Sequence, residues 1–191
     1  MPGRRAKLIA PSALNVVFRR IKRHSNPVRS KVIVLLSVKA GLRAAEIAKL
    51  EWPMVLDANG KVGVLLEVRD RIAKKGSGRV VPIHADLRRA LTQLLGNGPR
   101  EGPVIRSARG GAMRPNSIVN WFVVLYHELG LEGCSSHSGR RTFITLAARL
   151  AHKAGGSLRD VQVLAGHRSI ETTQAYIDGD SHAQRKLIAL L

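Results

Sequence analysis

The sequence predicts a mainly α-helical fold with one small three-stranded antiparallel sheet, and three observations carry that expectation. Apolar residues recur at helical spacing through most of the 191 residues. Between residues 52 and 83 the pattern shortens and β-branched residues gather. Two turn signals, Asp57-Ala58-Asn59-Gly60 and Lys75-Gly76-Ser77-Gly78, divide that stretch into three runs.

Taken in order, a first helix is expected over 12–25, with Leu14, Val17, Phe18 and Ile21 on one side and Arg19, Arg20, Lys22 and Arg23 on the other. Pro27 suits the first position of a second helix, whose Val28, Val32, Leu35, Leu36 stripe stops at Gly41. A short third helix follows from Ala44, with Ile47 and Leu50 inward. The three strands are expected at 52–56, 63–68 and 79–83. Helices return at 85–95, 115–129, 139–154, 158–165, 170–177 and 181–191. The stretch 96–111, rich in Gly and Pro, reads as a loop with a short strand at Val104-Ile105. No internal repeat and no shift in composition marks a second domain.

Charge narrows the function before any motif does. Lys and Arg number 32 against 13 acids, a net charge of +19. A folded domain this basic repels itself, and a polyanionic partner is the usual reason to tolerate that. From Met1 to Ala45 there are eleven Lys/Arg and no acid, Glu46 being the first carboxylate. Nucleic acid is therefore a far better partner than an anionic membrane surface. The longest apolar runs, 32–36 and 121–126, fall far short of the ~20 residues that span a bilayer. The single cysteine, Cys134, makes neither an internal disulfide nor a thiolate zinc site. A soluble intracellular protein is expected.

Nucleophiles are few. Of the two tyrosines, Tyr126 sits in the apolar run Trp121-Phe122-Val123-Val124-Leu125-Tyr126 and reads as core, whereas Tyr176 lies in a polar setting. Arg43, Lys74, His137-x-x-Arg140 and Gly166-His167 each have an ordinary explanation when taken singly. In order they do not. The series Gly41-Leu42-Arg43-x-x-Glu46, Lys74 five residues before Arg79-Val80-Val81-Pro82, His137-x-x-Arg140-Arg141-Thr142-Phe143, Gly166-His167 and Tyr176 nine residues later resembles the catalytic domain of the tyrosine recombinases, the phage integrase family. The resemblance runs from about Leu14 to Ile188.

That resemblance implies a site-specific recombinase or integrase that cuts DNA through a covalent 3′-phosphotyrosyl intermediate. Tyr176 falls on the nucleophile, and Arg43, Arg140 and His167 fall on the groups that meet the phosphate. Lys74 falls on the acid for the 5′-oxygen, His137 on the proton acceptor, and Glu46 on the acid that orders the first motif. Lys75 is the neighbouring lysine, but it stands four residues before Arg79 where the family has five. Arg19, Arg20, Lys22, Arg23, Lys75, Arg79, Arg141 and Arg168 are expected to hold the DNA backbone. No cofactor and no metal are implied. Self-association on DNA, from dimer to tetramer, is implied, with the helix 181–191 docking in cis or exchanged between subunits; an accessory DNA-binding protein is a further expected partner. The rival readings are a type IB topoisomerase and a non-catalytic DNA-binding protein on the same fold.

Two departures stand out. The family usually has an apolar residue, most often leucine, where this chain has Gly139. Only about forty residues precede Arg43, so 1–191 reads as a single catalytic domain with a basic tail at 1–10 and no separate N-terminal core-binding domain. The chain is then either a short recombinase, as the fimbrial-switch invertases are, or a piece of a longer one.

Overall fold

Helix α2 (Pro27–Lys39) is the axis on which the other elements pack. The Asn26 side chain accepts a hydrogen bond from the Arg29 amide and Pro27 occupies the first turn, which fixes where the helix begins. Every residue from Val32 to Val38 is buried, as expected of a helix enclosed by its neighbours. Helices α1 (Pro11–Ile21), α3 (Ala44–Lys49), α4 (Ala85–Leu95) and α6 (Ser138–Ala151) all contact it, and α5 (Pro115–Glu128) packs against α3. The computed structural model describes residues 6–176 together with 185, 188 and 189.

Two hydrophobic clusters result. The main one takes in Val32–Leu36 of α2, Ile47 and Leu50 around α3, Leu87 and Leu91 of α4, and Ile118, Phe122 and Tyr126 of α5. The smaller one consists of Ile144, Val161 and Ala165, bordered by Phe143, Ala147, Leu158 and Tyr176. It joins α6 to α7 (Leu158–Ala165) and α8 (Ile170–Gln174). Tyr126 is core, as its apolar run predicts: its ring stacks on Phe122 at 5.6 Å and it is 1% exposed.

The sheet corrects one expectation. Among the described residues it has two strands, β1 (Leu65–Val68) and β2 (Arg79–Pro82), antiparallel with Leu66 opposite Val81. The run at 52–56 is β-rich in composition, but Trp52-Pro53-Met54 closes a 3-10 turn, since proline there supplies the turn's φ and has no ladder donor. All that survives of the third strand is a single bridge between Leu56 and Val62 around the Asp57–Gly60 turn. Val104-Ile105 is likewise no strand; both residues are buried, between isolated bridges at Pro103 and Arg106. The first helix ends at Ile21, short of the expected 25, and α6 gives way at His152 to a 3-10 turn closed by Gly155. The expected helix 181–191 falls almost wholly outside the described residues, as do residues 1–5 of the basic tail.

Candidate active site

Arg43 stands at the N-cap of α3 because Gly41 ends α2 in the left-handed region, with φ of +64°, where a Cβ would come within 2.4 Å of the Phe143 ring. Leu42 anchors the turn in the core. The Arg43 amide and its guanidinium both donate to the Glu46 carboxylate, at 2.9 and 2.8 Å. Glu46 is 1% exposed and accepts two further bonds from Arg79, at 3.2 and 2.9 Å. Burial opposes its charge, but the bonds and positive charge of Arg79 and Arg43 outweigh that and hold the carboxyl down at about 2.

Arg140 follows one turn into α6 and is 3% exposed. One terminal nitrogen donates to the Gly41 carbonyl and the other to the Ala165 carbonyl, each at 2.5 Å. Burial, then the neighbouring Arg43 and Arg79, lower its affinity for its proton. Its position rests on Gly139, where a Cβ would lie 2.2 Å from the Ser37 hydroxyl, so α6 and α2 meet closer there than any side chain permits. That close approach is the physical content of the missing leucine.

Helix α7 delivers His167. Asp160 accepts from the Ser157 amide and hydroxyl at its start, and Gly166, with φ of +64°, caps its end. The His167 Nε2 lies 3.1 Å from an Arg140 nitrogen and its Nδ1 lies 2.9 Å from the Thr173 hydroxyl. A guanidinium only donates, so Nε2 carries the lone pair and Nδ1–H donates to Thr173. Burial, then the cations Arg140, Arg43 and Arg79, push the imidazole down to about 4, so it is neutral at pH 7. The Tyr176 ring stacks on it, centroids 5.6 Å apart, and the Thr145 hydroxyl donates to the Tyr176 carbonyl.

Arg43, Lys74, His137, Arg140, His167 and Tyr176 all line one open cleft of about 430 Å³, together with Ala6, Arg141, Thr172 and Ala175. The two that differ in setting are Lys74, on the exposed loop between the strands, and His137, exposed at the start of α6. Among the described residues neither side chain makes a hydrogen bond or ion pair.

The expected backbone-holding residues divide. Arg19, Lys22 and Arg23 are exposed on and just beyond α1, Arg20 pairs with Glu128 at 2.8 Å, and none of the four lines the cleft. Arg141 borders the cleft and donates to the Ala6 carbonyl. Lys75 is exposed with a left-handed φ of +59°, and Arg168 donates to its carbonyl, tying the hairpin loop to the segment after α7. Arg79 is a correction: it faces inward, its side chain only 2% exposed. The strand period held the signal, because Arg79 shares a face with the buried Val81. Thr173, fully buried against His167, was not anticipated; nothing in its local sequence distinguishes it from Thr172.

Comparison with known proteins identifies the family and the fold. A profile of the phage integrase family matches residues 8–182. Among curated relatives, "Tyrosine recombinase XerC" of Pelobacter propionicus is 29% identical over 153 residues, 78% of this chain and 47% of that protein. "Tyrosine recombinase XerC" of Rhizobium meliloti is 32% identical over 158 residues, 80% of this chain and 46% of that protein. The chain thus spans about half the length of these relatives. Among solved structures, the XerA recombinase superposes with a TM-score of 0.73 at 19% identity, covering 100% of this chain and 65% of that one. The Tn1549 transposon integrase in complex with a circular intermediate DNA gives 0.74 at 18% identity, covering 100% and 67%. These structural likenesses establish the shared fold, and the profile match over most of the sequence establishes descent: the chain belongs to the phage integrase family.

Proposed function

We propose that this chain is the catalytic domain of a site-specific tyrosine recombinase acting on double-stranded DNA. The observation that carries the reading is the convergence of Arg43, Lys74, His137, Arg140, His167 and Tyr176, drawn from four separate stretches of sequence, on one cleft. Family membership and the net charge of +19 support it.

In this reading the Tyr176 oxygen attacks the scissile phosphorus as the bond to the 5′-oxygen breaks. His137 takes the phenolic proton and Lys74 gives one to the departing oxygen, leaving a 3′-phosphotyrosyl ester and a free 5′-hydroxyl. A second strand's 5′-hydroxyl then attacks the ester and releases Tyr176, so no external energy source is consumed. Charge gathering on the non-bridging oxygens is met by the forks of Arg43 and Arg140, already fixed in place, and by His167. An arriving phosphate offsets the cationic part of what keeps His167 neutral, which favours the protonated, donating imidazole. The exposed cations of α1 hold flanking backbone without reading bases. Self-association on DNA and help from an accessory DNA-binding protein belong to the same proposal.

The test is covalent trapping. Nicked duplexes of randomised sequence are incubated with the full chain, and protein-linked DNA is recovered and sequenced. Wild type is expected to yield adducts at a defined site and Tyr176→Phe none. An adduct carried by another residue, or none with wild type, overturns the reading.

A further inference from the structure

We infer that Arg79 is a positioning residue for the reaction: it sets the separation between Arg43 and His167, the two phosphate-binding groups that come from different hydrophobic clusters. This inference rests on the recombinase reading above.

The geometry is a continuous chain of charge-assisted bonds. Arg43 is held by Glu46 through both its amide and its guanidinium. The other side of Glu46 is held by the two terminal nitrogens of Arg79. The remaining donor of Arg79, Nε, reaches the Leu164 carbonyl at 2.9 Å, in the last turn of α7. The stem of Arg79 also lies directly under Gly166: a Cβ on that glycine would come within 2.9 Å of the arginine Cδ. One side chain thus touches the carboxylate that orients Arg43 and the cap that presents His167.

A role in stability alone accounts poorly for this design. Buried ion pairs are often no more stable than apolar residues packed in their place, because both charges lose their water. Apolar packing supplies no fixed angle. A planar fork with a donor on each side does, and lysine offers neither. The charges also have a direction. With Arg79 present, Glu46 faces two cations; without it, the carboxylate is opposed by Arg43 alone and draws that guanidinium away from the cleft. The inward positive charge of Arg79 further helps keep His167 neutral until a phosphate arrives.

The test uses the duplex recovered by the trapping experiment, made with either an ordinary scissile phosphodiester or a methylphosphonate, which has no anionic charge for Arg43 and His167 to meet. Adduct formation is followed for wild type, Arg79→Lys and Arg79→Met in the full chain, with folding checked by circular dichroism. Both variants are expected to lose about 100-fold on the phosphodiester, the scale of a misplacement near 1 Å. On the methylphosphonate the loss is expected to shrink to about 5-fold or less, since the misplaced donors have less charge to stabilise. Equal losses on both substrates, or failure of both variants to fold, would reduce Arg79 to a scaffold residue and overturn the inference. Absence of a wild-type adduct on the phosphodiester would instead overturn the recombinase reading, and the inference with it.

Discussion

The main core and the small cluster under α7 hold opposite sides of the cleft, and they are built differently. On the first side, Arg43 hangs from a loop anchored by fully buried Leu42, against five helices that share one core. On the second, His167 and Tyr176 depend on α7, α8 and three buried residues, Ile144, Val161 and Ala165. Two buried arginines cross between them: Arg140 bonds Gly41 on one side and Ala165 on the other, and Arg79 bonds Glu46 and Leu164. On the proposed recombinase reading, a site that holds a phosphate rigidly and still lets a tyrosine engage and leave gains from this asymmetry. The side with little buried apolar area opens at lower cost than the molecule as a whole.

The largest effect that bears on this contrast is expected in the main core. Phe122→Ala should cost about 3–5 kcal/mol in urea unfolding, with adduct formation per folded molecule unchanged. A change in adduct formation as large as the change in stability would erase the distinction between the two regions.

Acid should separate the two sides next. In the folded chain Glu46 titrates near 2, against 4.5 for an ordinary glutamate, so its contribution is present above pH 4.5 and lost as the pH falls toward 2. That shift corresponds to about 3 kcal/mol. His167 resists protonation down to about 4, against 6.5 for an ordinary histidine. Between those values the unfolded chain binds more protons, so stability falls as the pH drops from 6.5 to 4. Glu46→Gln should flatten only the lower window of a stability–pH curve, and His167→Gln only the upper one.

In the small cluster, Ile144→Ala should cost about 2 kcal/mol, the low end for such a truncation. Its signature should be local: faster hydrogen exchange at the α7 amides with exchange in α2 unchanged. Protection lost equally from both helices would mean a single cooperative unit. A smaller effect is expected at the junction of α2 and α6. Gly139→Ala should cost about 1–2 kcal/mol by overpacking, and Ser37→Ala in the same chain should recover part of it. The Ser37 hydroxyl is itself buried without a partner among the described residues.

How much of this was legible in the sequence follows the same division. Helical periodicity and terminal residues such as Pro27 and Gly166 located α2, α4 and α7 almost to the residue, because local chemistry sets those boundaries. The cleft residues were legible as an ordered series rather than from any one position. What could not be seen was tertiary. The strand at 52–56 failed because composition favoured β while Pro53 decided the backbone. Arg79 reads as a surface cation because arginine is usually exposed, although its alternation with Val81 points inward. The bond from His167 to Thr173 joins two segments across a turn, and no periodicity encodes it.

The two-stranded sheet has a consequence for the molecule in solution. Its outer face leaves Leu65 and Val80 at 52% and 50% exposed, with Val64 63% exposed just before β1, beside unclosed strand edges, and open apolar edges are templates for pairing with another chain. At low ionic strength the charge of +19 keeps copies apart. Added salt screens that repulsion, and it would equally weaken the proposed contacts to phosphates. If the chain binds DNA as proposed, the same ions are expected to act in opposite directions: weakening its hold on nucleic acid and favouring contact between copies.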